Sequence, residues 1–178
     1  MRPREAAVKT VYLLRHAKSS WDQPNLADHD RPLAPRGEKA APIMGRHLAE
    51  AGLVPERVLC STAVRARQTW EAVAPALSPA PEVAYRRDIY DADAGDLVRL
   101  LRELPDAVES VMLVGHNPSM EDLADMLVDG GDAQARKQMA SKFPTAALAH
   151  IALDTANWAA VAPRAGRLAR FIRPKDMA

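Results

Sequence analysis

Three short apolar runs, each followed at once by polar or basic residues, place the strongest limit on how this chain folds. They cover residues 11–14, 58–60 and 111–114. A strand with one exposed face alternates apolar and polar residues, whereas a strand covered on both faces is apolar throughout. The three runs therefore predict parallel strands at the centre of a sheet that carries helices on both faces.

Helical patterns lie between these runs. A stripe of apolar residues with helical spacing follows Ser61, and its members are Ala66, Trp70, Val73 and Leu77. Asn117 and Pro118 predict that another helix begins after the third apolar run, with Asn117 as its N-cap. Two more helices are expected over residues 35–51, which precede a glycine, and near residues 97–104, which precede a proline.

The alternation of strands and helices defines the expected fold class. Two more strands are predicted over residues 147–153 and 167–172, and the polar stretch 129–142 is expected to connect them to the preceding helix. This order predicts an α/β fold, a single three-layer α/β/α sandwich with a mostly parallel central sheet. At 178 residues the chain suits one well-buried core. We expect one domain over residues 1–178, with residues 1–9 as a flexible N-terminal extension.

Composition excludes several classes of function. The formal net charge of +1 creates no overall field that would attract nucleic acid or an anionic membrane. The single cysteine, Cys60, cannot form an internal disulfide, which fits a reducing compartment. No uncharged apolar run approaches the length of a membrane span, and the N-terminus lacks the apolar stretch of a signal peptide. We therefore expect a cytoplasmic protein in which any attraction for anions is local.

Basic and imidazole side chains follow all three central runs. Arg15 and His16 follow the first, Arg65 lies in the first helical turn after the second, and His116 follows the third. The carboxyl ends of parallel strands meet at one edge of a sheet, where ligands bind, so these four side chains are expected to converge. Two of the segments open helices, whose amino ends favour phosphate. Guanidinium and imidazole groups together suit the binding and transfer of a phosphoryl group.

The residues around these positions resemble the histidine phosphatase superfamily, which has the phosphoglycerate-mutase-like fold. The matching segments are residues 14–17 (LRHA), 61–69 (STAVRARQT) and 114–117 (VGHN), in that order along the chain. Residues 15–21 (RHAKSSW) and 30–37 (DRPLAPRG) resemble more narrowly the SixA-type phosphohistidine phosphatases. The matching segments extend from Tyr12 to Asn117 and so span well over half of the chain.

The resemblance implies a covalent phosphatase mechanism. His16 would attack phosphorus and become a transient phosphohistidine that water hydrolyses, while Arg15, Arg65 and His116 would hold the phosphoryl oxygens. Such an intermediate divides one difficult displacement into two easier ones. The neighbouring guanidiniums disfavour protonation of His16, and its second ring nitrogen is expected to donate to a backbone carbonyl. This scheme requires neither a metal ion nor a cofactor.

Further site residues are open to more than one interpretation. Lys18 and Ser19 are expected to line the pocket, although a polar loop after a strand explains them equally well. The phytase-like branch has a general acid directly after its second histidine, where this chain has Asn117. Asp91 is the candidate general acid among the carboxylates near the motifs, and a turn or N-cap role explains any of them at least as well; they are Asp28, Asp30, Asp88, Asp91 and Asp93. Residues 28–30 (DHD) superficially resemble metal ligands, but a solvated loop is the better interpretation.

Several functions remain open at this stage. A phosphatase for a phosphorylated protein, such as a histidine phosphotransfer domain in signal transduction, is expected. The short stretches between motifs favour an open pocket over one that encloses a metabolite. The alternatives are a small-molecule phosphomonoesterase or mutase and, less favoured because all four pocket residues are present, a non-catalytic phosphate-binding protein. A cysteine phosphatase is excluded, since the position at which its motif requires arginine is Ala66. The sequence does not indicate the oligomeric state. Trp21 is expected to pack beneath its loop, and the alternative is an aromatic side chain that faces the substrate.

Overall fold

A seven-stranded sheet forms the centre of the computed structural model, which describes residues 8–177. Its strands are β1 (Lys9–Arg15), β2 (Arg57–Ser61), β3 (Glu82–Arg86), β4 (Ser110–Gly115), β5 (Val128–Gly131), β6 (Leu148–Leu153) and β7 (Gly166–Ile172). They lie in the order β3-β2-β4-β1-β6-β7-β5, and within the described residues β6 is the one strand that runs against its neighbours. The predicted mostly parallel sheet is confirmed, and the three predicted central strands are adjacent in it.

Six helices connect the strands and cover both faces of the sheet. They are α1 (Pro35–Glu50), α2 (Val64–Val73), α3 (Arg87–Tyr90), α4 (Ala94–Arg102), α5 (Ser119–Leu127) and α6 (Ala133–Ser141). Short 3-10 turns lie at Asp28–Asp30, Ala74–Ala76, Trp158–Ala160 and Pro174–Met177. Among the residues that the structure describes, no helix is long and apolar enough to cross a membrane.

Burial on both faces explains the apolar sequence of the central strands. In β1, Val11 and Leu13 pack into the core beneath α4, α5 and α6, whereas Tyr12 and Leu14 pack into the core beneath α1 and α2. Residues of β4 alternate between the two cores in the same way. Because the side chains at positions 11–14 of β1 and 111–114 of β4 are all buried, a polar residue at any of these positions would lose its hydration. The predicted three-layer architecture is confirmed.

Helix ends follow local capping rules with one difference from the prediction. Helix α1 ends just before Gly52, which has a φ of 71° and so adopts the left-handed conformation that glycine favours. Helix α5 begins at Ser119, and Pro118 rather than Asn117 takes the N-cap position. The side chain of Asn117 still accepts a hydrogen bond from the N–H of Glu121 at 3.3 Å. The predicted cap is therefore displaced by one residue.

Three further features differ from the sequence expectations. The stretch 129–142, which was expected to be a connection, contains most of β5 and the whole of α6. The edge strand β3 was not predicted either. Lys9 begins β1 and is buried, so the predicted N-terminal extension over residues 1–9 extends too far; residues 1–7 of that extension lie outside the described residues.

Candidate active site

The register of the central strands brings their carboxyl ends together. Arg15 of β1 lies opposite Gly115 of β4, and β2 is aligned with β4 on its other side. The N–H of His16 donates to the carbonyl oxygen of Gly115 at 3.0 Å, so His16 and His116 follow adjacent strand ends. The centroids of the two imidazole rings are 5.2 Å apart. The structure thus brings these two predicted site residues together at the expected edge of the sheet.

The imidazole of His16 is held in one orientation. Its Nδ1 lies 2.7 Å from the carbonyl oxygen of Ala17, and because a carbonyl oxygen can only accept, Nδ1 carries the hydrogen. In a neutral ring this leaves the lone pair on Nε2. Ala17 is fixed in turn, since its N–H donates to the hydroxyl oxygen of Thr69 at 2.9 Å and that hydroxyl donates to the carbonyl of Arg65 at 2.7 Å. Helix α2 therefore positions the loop that orients His16.

His116 is anchored by the end of β2. Its Nε2 lies 2.7 Å from the hydroxyl oxygen of Ser61, which is fully buried and also accepts the N–H of Ala63 at 3.2 Å. Ring Nδ1 of His116 is buried and has no hydrogen-bond partner among the described residues. Tyr90, at the end of α3, packs edge-on against this ring with centroids 5.5 Å apart. The imidazole is thereby fixed on two sides.

The two predicted arginines approach the histidines from different elements. Nη1 of Arg15 donates to the carbonyl oxygen of Phe143 at 2.9 Å. Arg65, which is 6% exposed, donates to the carbonyl oxygen of Asp28 at 2.7 Å and to its carboxylate at 3.0 Å. Within the described residues, four buried side-chain atoms lack a hydrogen-bond partner, and three of them belong to Arg15, Arg65 and His116. Buried donors rarely stay unpaired, and an oxyanion with several acceptor positions would supply the missing partners.

A comparison with protein families matches this arrangement. The model of the histidine phosphatase superfamily (branch 1) matches residues 11–127, which include all four residues of the pocket. The chain belongs to the histidine phosphatase superfamily. The resemblance inferred from the sequence motifs is thereby confirmed.

Individual relatives agree with the SixA-type resemblance. A crystal structure assigned as the phosphohistidine phosphatase SixA of Agrobacterium tumefaciens is 34% identical, covers 93% of this chain and 99% of its own, and gives a TM-score of 0.76. The protein histidine phosphatase SixA in complex with tungstate is 25% identical over 95% of this chain and 99% of its own, also with a TM-score of 0.76. An uncharacterised protein of Mycobacterium tuberculosis is 37% identical over 91% of this chain and all of its own length. Together the family and the fold support a phosphatase that works through histidine.

Burial and nearby cations keep both site histidines neutral. Burial lowers the pKa of His16 to about 3, and the neighbouring His116 and the positive charges of Arg65 and Arg15 also lower it, against the hydrogen bond to Ala17. Burial, followed by the charge of Arg65, lowers the pKa of His116 to about 4. At neutral pH the lone pair on Nε2 of His16 is therefore free of a proton, as a nucleophile requires.

Asp28 belongs to the site, although Asp91 was the carboxylate preferred from the sequence. Its carboxylate accepts hydrogen bonds from the hydroxyl of Tyr90 at 2.6 Å, from Arg65 at 3.0 Å and from Arg31 at 3.1 Å. The hydrogen bond from Tyr90, together with those from Arg65 and Arg31, holds the pKa of Asp28 well below its usual range. Asp28 and Asp30 are exposed, with 51% and 60% of their side-chain surface open to solvent, as expected of a solvated loop, but the turn also packs against the pocket through Asp28.

The loop that carries Asp28 is fastened from within by Arg31. Arg31 is buried and donates to the hydroxyl oxygen of Ser19 at 2.9 Å and to the carbonyl of Ser20 at 3.2 Å. Its guanidinium also stacks 3.6 Å from the ring centroid of Trp21, which is 70% exposed. The expectation that Trp21 packs beneath the loop is wrong. The hydrogen bond between Arg31 and the Ser19 hydroxyl stabilises the loop, and the predicted role of Ser19 in binding substrate stays a prediction.

Among the described residues, no hydrogen bond or ion pair joins the side chain of Asp91 or Lys18 to the four central side chains. Asp91 is exposed and caps the end of α3, where its backbone N–H donates to the carbonyl oxygen of Ile89; within the described part of the chain its carboxylate makes no hydrogen bond or ion pair. The carboxylate in contact with the pocket is that of Asp28, so the structure favours Asp28 over Asp91 as the carboxylate of the site. Lys18 is exposed and lines a neighbouring cavity. Over residues 8–177, no cluster of three or more side chains suited to a metal ion is found.

Proposed function

We propose that this protein is a metal-independent phosphatase that removes phosphoryl groups from phosphohistidine on proteins, through a covalent intermediate on His16. The observation that carries the proposal is the state of His16. Its Nδ1 is committed to the carbonyl of Ala17, its low pKa keeps it neutral, and Nε2 remains for attack beside Arg15 and Arg65.

The proposed reaction proceeds in two displacements. In the first, Nε2 of His16 forms a bond to phosphorus while the bond from phosphorus to the substrate nitrogen breaks, and the substrate imidazole leaves with the electron pair. In the second, water attacks the phosphorus, and the bond to His16 breaks to release phosphate. Arg15, Arg65 and His116 neutralise charge on the non-reacting oxygens, which is the main requirement of phosphoryl transfer.

The chemistry of the leaving group favours phosphohistidine over a phosphate ester. An imidazole leaves far more readily than an alkoxide and so needs little help from a general acid. The residue after His116 is Asn117, which cannot serve as an acid, and its amide donates to the carbonyl of Phe143 at 3.1 Å. Asp28 is ionised in the structure. A site without a ready strong proton donor suits the easier leaving group. The substrate class also agrees with the two similar SixA structures, which are named as a phosphohistidine phosphatase and a protein histidine phosphatase.

Replacement of the nucleophile tests the mechanism. His16→Ala is expected to lower kcat by about 10⁴-fold or more with a phosphorylated histidine carrier protein and with phosphoramidate. His47→Ala, a change in α1 away from the site, is the matched control and is expected to keep full activity. When the wild-type enzyme is quenched during turnover of ³²P-labelled carrier protein, we expect labelled phosphoryl groups to be bound covalently to the enzyme. Acid should release this label and base should not. Turnover by His16→Ala at the wild-type rate would refute the covalent mechanism.

Two further measurements test the substrate class and the metal independence. In direct competition, the phosphorylated carrier protein is expected to have a higher kcat/KM than any member of a panel of sugar and nucleotide phosphates. Faster turnover of the small esters would establish the alternative, a small-molecule phosphomonoesterase. Prolonged dialysis against EDTA is expected to leave kcat unchanged, and a loss that added Mg²⁺ or Zn²⁺ restores would contradict metal independence.

A further inference from the structure

A second cavity, of about 330 Å³, opens beside the active site. Five basic residues line it, and we call them the basic wall: Lys18, Arg36, Lys142, Arg173 and Lys175. No described aspartate or glutamate is among its lining residues. Since the formal net charge of the whole chain is only +1, this concentration of positive charge is local to the cavity.

Four of the five residues of the basic wall form no ion pair with a described residue, although Asp176 lies close enough to Lys175 for the charge of that lysine to lower the pKa of Asp176. Arg173 is paired with the carboxylate of Asp176 at 2.7 Å. The other four make no ion pair and no side-chain hydrogen bond with any residue that the structure describes. Helix α1, in which Arg36 is the second residue, also begins without a side-chain cap, and the free N–H groups of such a helix end favour an anion. Cations gathered around one cavity repel each other, and a bound anion would relieve that repulsion.

The cavity is held in a fixed position beside His16. Lys18 follows His16 by two positions, and residues 144–145 form the opposite wall. That wall is fastened to the catalytic segment on both sides: the carbonyl of Phe143 accepts from Arg15, and the N–H of Ala146 donates to the carbonyl of His16 at 3.0 Å. A molecule that places a phosphoryl group on His16 therefore has the basic wall next to it.

We propose that the basic wall binds carboxylate side chains that flank the phosphohistidine of a protein substrate. This inference rests on the proposed function and adds a docking preference to it. Three of the five cations are lysines, whose flexible side chains can reach carboxylates at varied positions. A phosphate held in one position is better matched by the planar guanidinium group of an unpaired arginine. The fork of Arg173 is already occupied by Asp176, which leaves Arg36 as the one arginine of the wall that is not paired with a described residue. Acidic side chains of a polypeptide fit this wall better than a second phosphate of a small molecule.

Two matched phosphohistidine peptides test the proposal, one with glutamates on both sides of the phosphohistidine and one with glutamines in their place. At low salt the wild-type enzyme is expected to cleave the acidic peptide with a kcat/KM about tenfold higher or more, and added salt should reduce that ratio. In Lys142→Glu/Lys175→Glu the ratio is expected to fall to about one or below. Arg46→Glu/Arg167→Glu is the control with the same change of charge. Both of its arginines are exposed and neither lines the cavity, since Arg46 lies in the second half of α1 and Arg167 near the start of β7, so the wild-type ratio should persist.

The outcomes separate the docking proposal from the proposed function. Equal cleavage of the two peptides by the wild-type enzyme, or a preference that survives charge reversal of the basic wall, overturns the docking proposal and leaves the phosphohistidine phosphatase in place. Cleavage of phosphate esters but of neither peptide overturns the proposed function and the docking proposal with it. A preference for fructose 1,6-bisphosphate over fructose 6-phosphate that is lost in Lys142→Glu/Lys175→Glu would assign the wall to a second phosphate and refute carboxylate binding.

Discussion

Acidification from pH 7 to pH 5 is expected to weaken the fold through His16 and His116. Both imidazoles are buried, with 7% and 8% of their surface exposed, and in the folded protein their pKa values are about 3 and about 4. In the unfolded chain both have the ordinary value of about 6.5. Below that value the unfolded chain binds protons that the folded protein excludes. The free energy of unfolding is therefore at its full value above about pH 6.5 and falls as the pH drops toward the folded pKa values.

The size of the effect follows from the proton difference between the two states. Between pH 7 and pH 5 the folded histidines stay almost fully neutral, and the unfolded ones pass from mostly neutral to almost fully charged. Integration over this interval gives about 2 kcal/mol for each histidine, or about 4 kcal/mol for the pair. The result does not depend on how far the folded pKa values lie below 5. Domains are stable by about 5–15 kcal/mol, so this loss is a large share of the total.

Urea unfolding of wild type and of His16→Gln/His116→Gln at pH 7, 6 and 5 measures the effect. Buffers must be free of phosphate, because a ligand of the folded state would add stability. The pH-dependent loss in the wild type is expected to exceed that in the double variant by about 4 kcal/mol. Leu123→Ala, a core truncation without a titratable group, should lower stability at every pH and keep the wild-type slope. Equal pH slopes in the wild type and the double variant would refute the reasoning.

Three further predictions concern single positions. Asp28→Asn removes the carboxylate that competes with phosphate for Arg65, so calorimetry should show about tenfold tighter binding of inorganic phosphate; unchanged or weaker binding contradicts this role. Gly37→Ala places a Cβ atom about 2.2 Å from the carbonyl oxygen of Lys18, so urea unfolding should show a loss of about 1–3 kcal/mol, and wild-type stability would contradict the packing. Trp158→Ala, at a fully buried position remote from the pocket, should cost about 3–5 kcal/mol of stability and leave kcat of the folded enzyme unchanged.

The central strands and the residues that follow them were predictable because their signal is local. A strand buried on both faces must be apolar at each position, and the polar residue after it marks the edge of the sheet. Elements at the periphery lack that constraint. Every residue of β3 is at least partly exposed, and in α6 only Ala135 and Met139 are buried, so neither element has a pattern that distinguishes it from a polar connection.

The role of Asp28 could not be predicted, because its partners are distant in sequence. Arg65 lies 37 positions away and Tyr90 lies 62 positions away, and nothing near residues 28–30 indicates that the loop folds back onto the pocket. A run of Asp, His and Asp is typical of an exposed turn, and the local sequence does not distinguish a turn that contacts the pocket from one that does not. The one signal was the resemblance of residues 30–37 to a SixA-type motif, in which Arg31 now has a physical role as the fastening of the loop.

The charges of the pocket serve two functions that would otherwise conflict. Arg15 and Arg65 attract the phosphoryl group, and the same positive charges help to keep a proton off His16, so they favour both the binding of the phosphoryl group and a free lone pair on His16. Asp28 balances Arg65 while no phosphoryl group is bound. When a phosphoryl group takes Arg65 as its partner, Asp28 loses that ion pair and gains a negative neighbour, and both changes raise its pKa. We therefore expect Asp28 to become a better proton acceptor at the stage when a water molecule must be deprotonated to attack the phosphoenzyme.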